Sequence, residues 1–202
     1  MKTMADLFLI AFLIAVLGLS MVPSSSAQGM EDVEIEVTEL RESVYLLMGR
    51  GGNIGLVVTD DGAFLIDDQY APLTERILAA VASVTDQSVR FVLNTHWHGD
   101  HTGGNENLAE QGTLVVAHDN VRERMSTEQL SEFFGRTTPP SPDGALPVIT
   151  FNDEVTFHMG DHTVHAFHTP HAHTDGDSIV HLPEANVIHA GDVIFYGLYP
   201  FV

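Results

Sequence analysis

The feature that most constrains this chain is one six-residue run, His-Trp-His-Gly-Asp-His, at positions 96–101. The mostly apolar residues 89–93 end two residues before it, and we interpret them as a buried strand. The run then lies on the loop at the carboxyl end of that strand, where α/β proteins place their functional sites. Side chains alternate along an extended segment, so His96 and His98 point to one side and can bind the same ion.

The rest of the run indicates metal binding more strongly than an ordinary polar loop. Asp100 and His101 follow on the turn and face a second position a few ångströms away. Imidazole nitrogen and carboxylate oxygen both suit zinc or iron, and four such ligands at this spacing rarely serve another purpose. The sequence contains no cysteine, so any metal must be held by His, Asp and Glu.

Elsewhere, strand and helix patterns alternate first and strand patterns follow, which favours an α/β fold of packed layers. Helices are predicted to begin at Pro72 and to cover 103–111 and 119–125, and a Pro-, Ser- and Gly-rich surface loop is predicted over 126–147. The predicted strands are 44–48, 54–58, 63–66, 89–93, 113–117, 154–158, 162–168, 178–182 and 187–189.

The amino-terminal residues have the pattern of a secretory signal peptide. Lys2 precedes an apolar run over 7–19, and small residues lead up to Ala27. The run is shorter than the roughly 20 apolar residues that cross a bilayer, so we favour cleavage after Ala27 over a membrane anchor. Residues 28–202 would then form one domain, periplasmic or secreted, with no membrane contact after cleavage.

Charge limits the partners of that domain. The formal net charge is −20, with 28 acidic residues against 8 Lys and Arg. Nucleic acids and anionic membranes both require basic patches, so neither is expected as a partner. A small-molecule substrate is the partner class that remains, and the oligomeric state is not predicted.

The run at 96–101 resembles the H-x-H-x-D-H signature of the metallo-β-lactamase superfamily, and three other segments agree with it. "FLIDDQYAPL" resembles the first motif of the superfamily, in which Asp67 would brace the metal loop. "HTPHAHTDGDSIV" resembles the third motif and makes His173 a ligand. "VIHAGDVIF" resembles the fourth, where Asp192 would bridge two metals. The resemblance covers residues 34–202, roughly the whole predicted mature chain.

The resemblance implies a four-layer αββα fold and a zinc-dependent hydrolase with two zinc ions in a complete site. Water activated by the metal would attack the carbonyl of a lactam, lactone, ester or thioester, and Asp100 would orient that water. β-Lactamases of the superfamily carry Cys or Ser where Asp192 stands, which favours lactones and thioesters over β-lactams. The implied ligands are His96, His98 and His173 for the first zinc and Asp100, His101 and Asp192 for the second.

The resemblance also implies further strands, a helix and a last histidine ligand after the fourth motif. No histidine follows His189. We therefore expect the carboxyl-terminal part of the second half of the fold to be missing and the chain to bind one zinc. The alternative hypothesis is a zinc-binding remnant or fragment that turns nothing over.

Several other polar residues are left without an assigned role. Asp175 and Asp177 either support His173 or cap a turn, and the sequence leaves both readings open. The remaining histidines are expected to be mostly ordinary surface residues: His118, His158, His162, His165, His168, His171, His181 and His189.

Overall fold

The computed structural model describes residues 29–131, 135–195 and 197. The predicted signal peptide lies outside these residues, and its cleavage stays a prediction. Within the described ranges, no helix has the length and apolar content needed to span a membrane.

A seven-stranded sheet forms the first part of the fold. In spatial order its strands are β1 (Glu36–Arg41), β2 (Val44–Met48), β3 (Ile54–Thr59), β4 (Gly62–Ile66), β5 (Val89–Asn94), β6 (Leu114–His118) and β9 (Ile149–Phe151). The first four strands pair antiparallel, whereas β5 is parallel to β4, β6 to β5 and β9 to β6. The parallel arrangement brings the carboxyl ends of β4, β5 and β6 to one edge of the sheet.

Four short α-helices in the described ranges accompany this sheet. Helix α1 buries Ile77 and Val81 in a cluster with Leu65 of β4, which covers one face of the sheet. The other three helices follow the carboxyl ends of β5 and β6. Their bounds are α1 (Thr74–Ala82), α2 (Gly99–Thr102), α3 (Asn105–Ala109) and α4 (Asp119–Met125).

A four-stranded antiparallel sheet packs on the opposite face of the first sheet. Phe64 of β4 is fully buried in the shared core, with its ring centroid 5.0 Å from that of Phe157, and Val164 and Val180 of the second sheet lie in the same cluster. Burial of this apolar surface from water holds the two sheets together. The strands are β10 (Glu154–Met159), β11 (His162–His168), β12 (Ser178–Leu182) and β13 (Val187–His189).

The predicted α/β class with two packed sheets is confirmed. Helix α1, the first sheet and the second sheet are three of the four predicted layers. On the outer face of the second sheet, paired residues form the row Thr156, His165, His181 and Ile188, all exposed or partly exposed. The described part of the chain thus provides three layers.

The structure corrects three details of the sequence-based prediction. β1 and β9 are edge strands that were not predicted, because their apolar alternation is short or half-exposed. The predicted helix at 103–111 is shorter, because only α3 (Asn105–Ala109) lies in that range and the amide of Gly104 before it donates to Asp68. The predicted loop at 126–147 contains the hairpin β7 (Gln129–Ser131) and β8 (Arg136–Thr138).

Candidate metal centre

The candidate site lies where the chain leaves β5. This strand ends at Asn94, and α2 begins directly after His98. Two buried asparagines hold the turn in place: Asn94 donates to the carbonyl of His101, and Asn105 donates to the side-chain oxygen of Asn94. The histidine-rich run is therefore folded tightly over the end of the strand.

The first group of candidate ligands joins imidazoles that belong to different sheets. His96 and His98 follow β5, whereas His173 lies on the loop between β11 and β12. Nδ1 of His98 lies 3.1 Å from Nε2 of His96 and 2.9 Å from Nε2 of His173. His96 is fully buried and the other two are partly buried. The three nitrogens face one point, as the ligands of a single ion must.

The second group is centred on His101. Its Nε2 lies 3.2 Å from Oδ1 of Asp192 and 3.7 Å from Oδ2 of Asp100. The other carboxylate oxygen of Asp192 lies 3.7 Å from Nε2 of His173, so Asp192 stands between the two groups, where a bridging carboxylate has to be. Asp100 lies further out: within the described residues, the close set of possible ligands joins His96, His101 and Asp192 without it.

Asp67 orients two of these imidazoles from behind. Its Oδ1 accepts from the backbone amide of Thr95 at 2.7 Å, and its Oδ2 accepts from the Thr95 hydroxyl and from Nδ1 of His101, both at 2.8 Å. The Thr95 hydroxyl donates to Asp67, so it can accept from Nδ1 of His96, 3.2 Å away. Both rings therefore present Nε2 to the ligand positions. Thr95 was not singled out from the sequence, although it directly precedes the first histidine.

These residues fit a divalent cation. Nε2 of His101 is buried and makes no hydrogen bond within the described chain, even though a carboxylate oxygen is 3.2 Å away. A buried polar atom without a partner is costly, and such atoms usually mark a ligand position. The converging nitrogens of the first group cannot satisfy one another through their own protons alone. A bound ion would satisfy all of these atoms, and a set of imidazole and carboxylate donors suits zinc.

Electrostatics differs between the two groups. Burial, followed by the neighbouring imidazoles, lowers the pKa of His96, and burial with the adjacent His173 lowers the pKa of His98. Burial also lowers the pKa of His101, but the carboxylates around it, Asp67 first, outweigh this effect and raise the pKa to about 11. Neutral imidazole is the form that binds metal. His96 and His98 are therefore ready for an ion at neutral pH, whereas His101 must release a proton.

The loop between β2 and β3 touches the site. A Cβ at Gly52 would overlap the ring of His101, so only glycine lets the loop approach this closely. Nδ1 of His189 accepts from the amide of Gly191, and its Nε2 donates to the carbonyl of Asn53 at 3.0 Å. The sequence assigned His189 no role, yet it joins this loop to the turn that carries Asp192. The glycine pair Gly51-Gly52, next to Asn53, was the sequence signal that this loop approaches another part of the chain closely.

The other polar residues of the third motif have different contacts. His168 stacks on His118 with ring centroids 3.8 Å apart, and its Nδ1 lies 2.8 Å from the carbonyl of Asp177. The Asp177 carboxylate accepts from the amide and the hydroxyl of Thr174, which favours turn capping over support of the ligand. Asp175 pairs with a side chain of α4. In the described ranges, none of these residues belongs to a group of possible metal ligands.

Comparison with known proteins agrees with this geometry. The model of the metallo-beta-lactamase superfamily matches residues 47–202. The chain belongs to this superfamily. A hydroxyacylglutathione hydrolase of Maricaulis maris is 32% identical over 146 residues, which cover 68% of this chain and 49% of the relative. A type 2 metallo-beta-lactamase of Bacillus cereus is 28% identical over 142 residues, which cover 69% of this chain and 50% of the relative.

Solved structures of the superfamily share the fold. A metallo-beta-lactamase of Cronobacter sakazakii matches with a TM-score of 0.67 at 22% identity, over 78% of this chain and 58% of that one. The chain spans about half the length of the curated relatives described above.

Behind the ligands, Asp68 is a fully buried carboxyl group. Its Oδ1 accepts from the amide of Gly104 at 2.8 Å, and its Oδ2 has no partner in the described chain. Burial raises the pKa of Asp68 well above its usual value; the Gly104 hydrogen bond opposes this shift, and the nearby charge of Asp67 adds to it. Asp68 is therefore held in a site that favours the protonated acid.

We expect Asp68→Asn to stabilise the metal-free protein at pH 7. Because the folded-state pKa of Asp68 lies above its unfolded value of about 3.9, its stabilising contribution is complete below that value and is lost as the pH rises through the folded pKa. An asparagine keeps the acceptor for Gly104 without this penalty. The difference in free energy of unfolding, measured by urea denaturation with chelator present, should shrink towards zero near pH 4.

Asp60→Asn is the matched control, because Asp60 is exposed in the turn after β3. It should change the free energy of unfolding little at either pH. Equal stability of Asp68→Asn and the parent chain across the whole pH range would contradict the buried-acid assignment.

Proposed function

We propose that this protein is a zinc-dependent hydrolase that cleaves a carbonyl–heteroatom bond in a small molecule. The observation that carries the proposal is the convergence of His96, His98 and His173 on one point, with Asp192 between that point and His101. Three imidazoles leave a fourth position for water or substrate, which is the pattern of catalytic rather than structural zinc sites. Membership in the superfamily supports the same reading.

The two groups would hold the metal with different ligands. His96, His98 and His173 would hold the first ion, and His101 with Asp192 and the more distant Asp100 would hold a second. Zinc bound there would act as a Lewis acid towards a carbonyl oxygen and would lower the pKa of a water molecule. The contribution of the protein is to fix the donor atoms, which Asp67 does by orienting the His101 ring.

Asp100 is the residue we propose for proton handling. Its side chain is 33% exposed and lies 3.7 Å from Nε2 of His101, so it is near the ligands but accessible to a substrate. A carboxylate in this place can accept a hydrogen bond from the attacking water and so orient it. The carboxylate can take a proton from that water as it attacks, and the carboxylic acid so formed can give this proton to the leaving group.

The substrate we propose is a lactone or thioester, with a β-lactam as the second candidate. Asp192 favours the first two, because the resemblance associates Cys or Ser at that position with β-lactamases. The matched relatives include both a hydroxyacylglutathione hydrolase and a metallo-beta-lactamase. The net charge of −20 opposes binding of a nucleic acid substrate.

The ligand assignment predicts how zinc content responds to substitution. His96→Ala, His98→Ala and His173→Ala should each abolish tight zinc binding, because two protein ligands hold zinc poorly. The measurement is zinc per chain after gel filtration, by atomic emission. His158→Ala is the control and should retain its zinc, since His158 is an exposed residue of β10 outside both groups. Equal losses in all four variants would refute the assignment.

The hydrolase proposal predicts turnover of a glutathione thioester, a lactone or a chromogenic cephalosporin by the zinc-loaded chain. Asp100→Asn should keep the first zinc and the fold, yet reduce kcat by about 100-fold or more, the scale of general acid–base catalysis. Steady-state kinetics beside zinc content separates the two effects. Bound zinc without turnover of any of the three substrates would instead support the non-catalytic remnant.

We further propose that the protein is exported, on the evidence of the charged start, the apolar run and the small residues before Ala27. The mature amino terminus should then be Gln28. Mass spectrometry of the protein recovered outside the cytoplasm tests this, and an intact Met1 would contradict it.

A further inference from the structure

The loop that carries His173 contacts helix α4, which extends from a strand of the first sheet. α4 directly follows β6, whereas the loop joins β11 to β12 of the second sheet. His173 is the one member of the first ligand group that comes from the second sheet. Its position relative to His96 and His98 therefore depends on contacts between the sheets at this edge.

Two side chains of α4 bind the loop through Asp175, two residues beyond the ligand. Nε and Nη2 of Arg124 donate to the Asp175 carboxylate, with the shortest distance 2.6 Å. Nδ2 of Asn120 donates to the Asp175 carbonyl, also at 2.6 Å. A guanidinium that uses two nitrogens on one carboxylate fixes direction as well as distance. Arg124 thus restrains the loop in a way that a single point charge would not.

Packing places the same helix against the loop. A Cβ at Gly176 would lie 2.9 Å from Cγ2 of Val121, so the loop backbone rests directly on the helix. Nδ1 of His118 accepts from the amide of Asn120 at the start of α4, and the His118 ring stacks on His168, where β11 ends. α4 is therefore fixed to both the base and the tip of the loop.

The far end of the loop has an anchor that does not involve α4. The amide of Ser178 donates to the carbonyl of Thr95 at 2.8 Å, which joins β12 to the chain just before His96. Within the loop, Asp177 binds Thr174 through both of its carboxylate oxygens. These contacts would keep the loop folded without Arg124. Without Arg124, however, the side of the loop that faces α4 would lose its ion pair with that helix.

We propose that Arg124 is a positioning residue for the metal centre: through Asp175 it sets the position of His173 against His96 and His98. This inference rests on the proposed function, because it assumes that the three histidines bind one ion. Arg124 would thus tune the affinity of the three histidines for metal through Asp175 rather than by direct contact.

The test is the zinc dissociation constant of the full chain, measured by competition with a chromogenic chelator. Arg124→Ala should weaken zinc binding about three- to tenfold. That is less than the roughly 10- to 100-fold typical of partners bonded directly to a ligand, because the Arg124–Asp175 pair is partly exposed and screened by solvent. Arg124→Lys keeps the charge but not the planar fork, so its zinc dissociation constant should lie between those of the parent chain and Arg124→Ala.

Arg122→Ala is the matched control. Arg122 lies on the same helix and its removal changes the charge equally, but its guanidinium donates to the carbonyl of Pro147 and not to the His173 loop. It should leave the zinc dissociation constant unchanged. If loss of either arginine merely destabilised α4, Arg122→Ala and Arg124→Ala would both bind zinc more weakly.

A second comparison separates positioning from helix stability. In an Asp175→Ala background, Arg124→Ala should have no further effect on zinc affinity, because its partner is already absent. An undiminished effect in that background, or parent-like affinity of Arg124→Ala, would overturn the positioning role while the parent chain still binds zinc. A parent chain that fails to bind zinc would overturn the proposed metal centre itself, and the positioning role with it.

Discussion

The carboxylate of Asp67, buried at the end of β4, accepts hydrogen bonds from the amide and hydroxyl of Thr95 and from His101. One charged group thus joins the ends of two neighbouring parallel strands to the turn that carries the candidate ligands. It also decides which nitrogen of His101 is presented to a metal. An ionised group without such partners could not be buried here, since its desolvation would outweigh any packing gain. The arrangement of the site depends on this group being fully satisfied.

The backbone around Asp67 is under constraint. Asp67 and Gln69 both have positive φ, 64° and 56°, which residues other than glycine seldom adopt. The side-chain amide of Gln69 donates to the carbonyl of Gly52, and the backbone carbonyl of Gln69 accepts from the amide of Gly103. These hydrogen bonds over-determine the segment and keep it in the strained conformation. In this conformation the Asp67 carboxylate points inwards, and the segments that contain Gly52 and Gly103 pack against Gln69.

The candidate centre is also the place where the two sheets meet. His96 and His98 come from the first sheet, and His173 and Asp192 come from segments of the second. The aromatic and aliphatic core between the sheets sets their distance, and the Ser178–Thr95 hydrogen bond fixes their relative position at this edge. Metal binding would therefore add a further link between the sheets. In such a protein, loss of metal and loosening of the sheet interface are expected to be coupled.

What the sequence by itself determined is local. A buried strand that runs into His-x-His-x-Asp-His places two imidazoles on one side through the two-residue period of an extended chain, and this needs no tertiary contact. The α/β class likewise follows from the order of apolar patterns. Motif resemblance supplied Asp67, His173 and Asp192, which are separated from the run by tens of residues.

Only the tertiary structure decided the remaining features. Whether Asp192 lies between the two ligand groups depends on how the second sheet packs, and no local pattern encodes that distance. Thr95 and His189 support the site through contacts with residues far away in the chain, so their types carry no distinctive local signal. Arg124 likewise carries no distinctive local signal, because the sequence shows only a charged residue in a short predicted helix. Its partner Asp175 lies 51 residues away, and only the packing of one sheet on the other brings the two together.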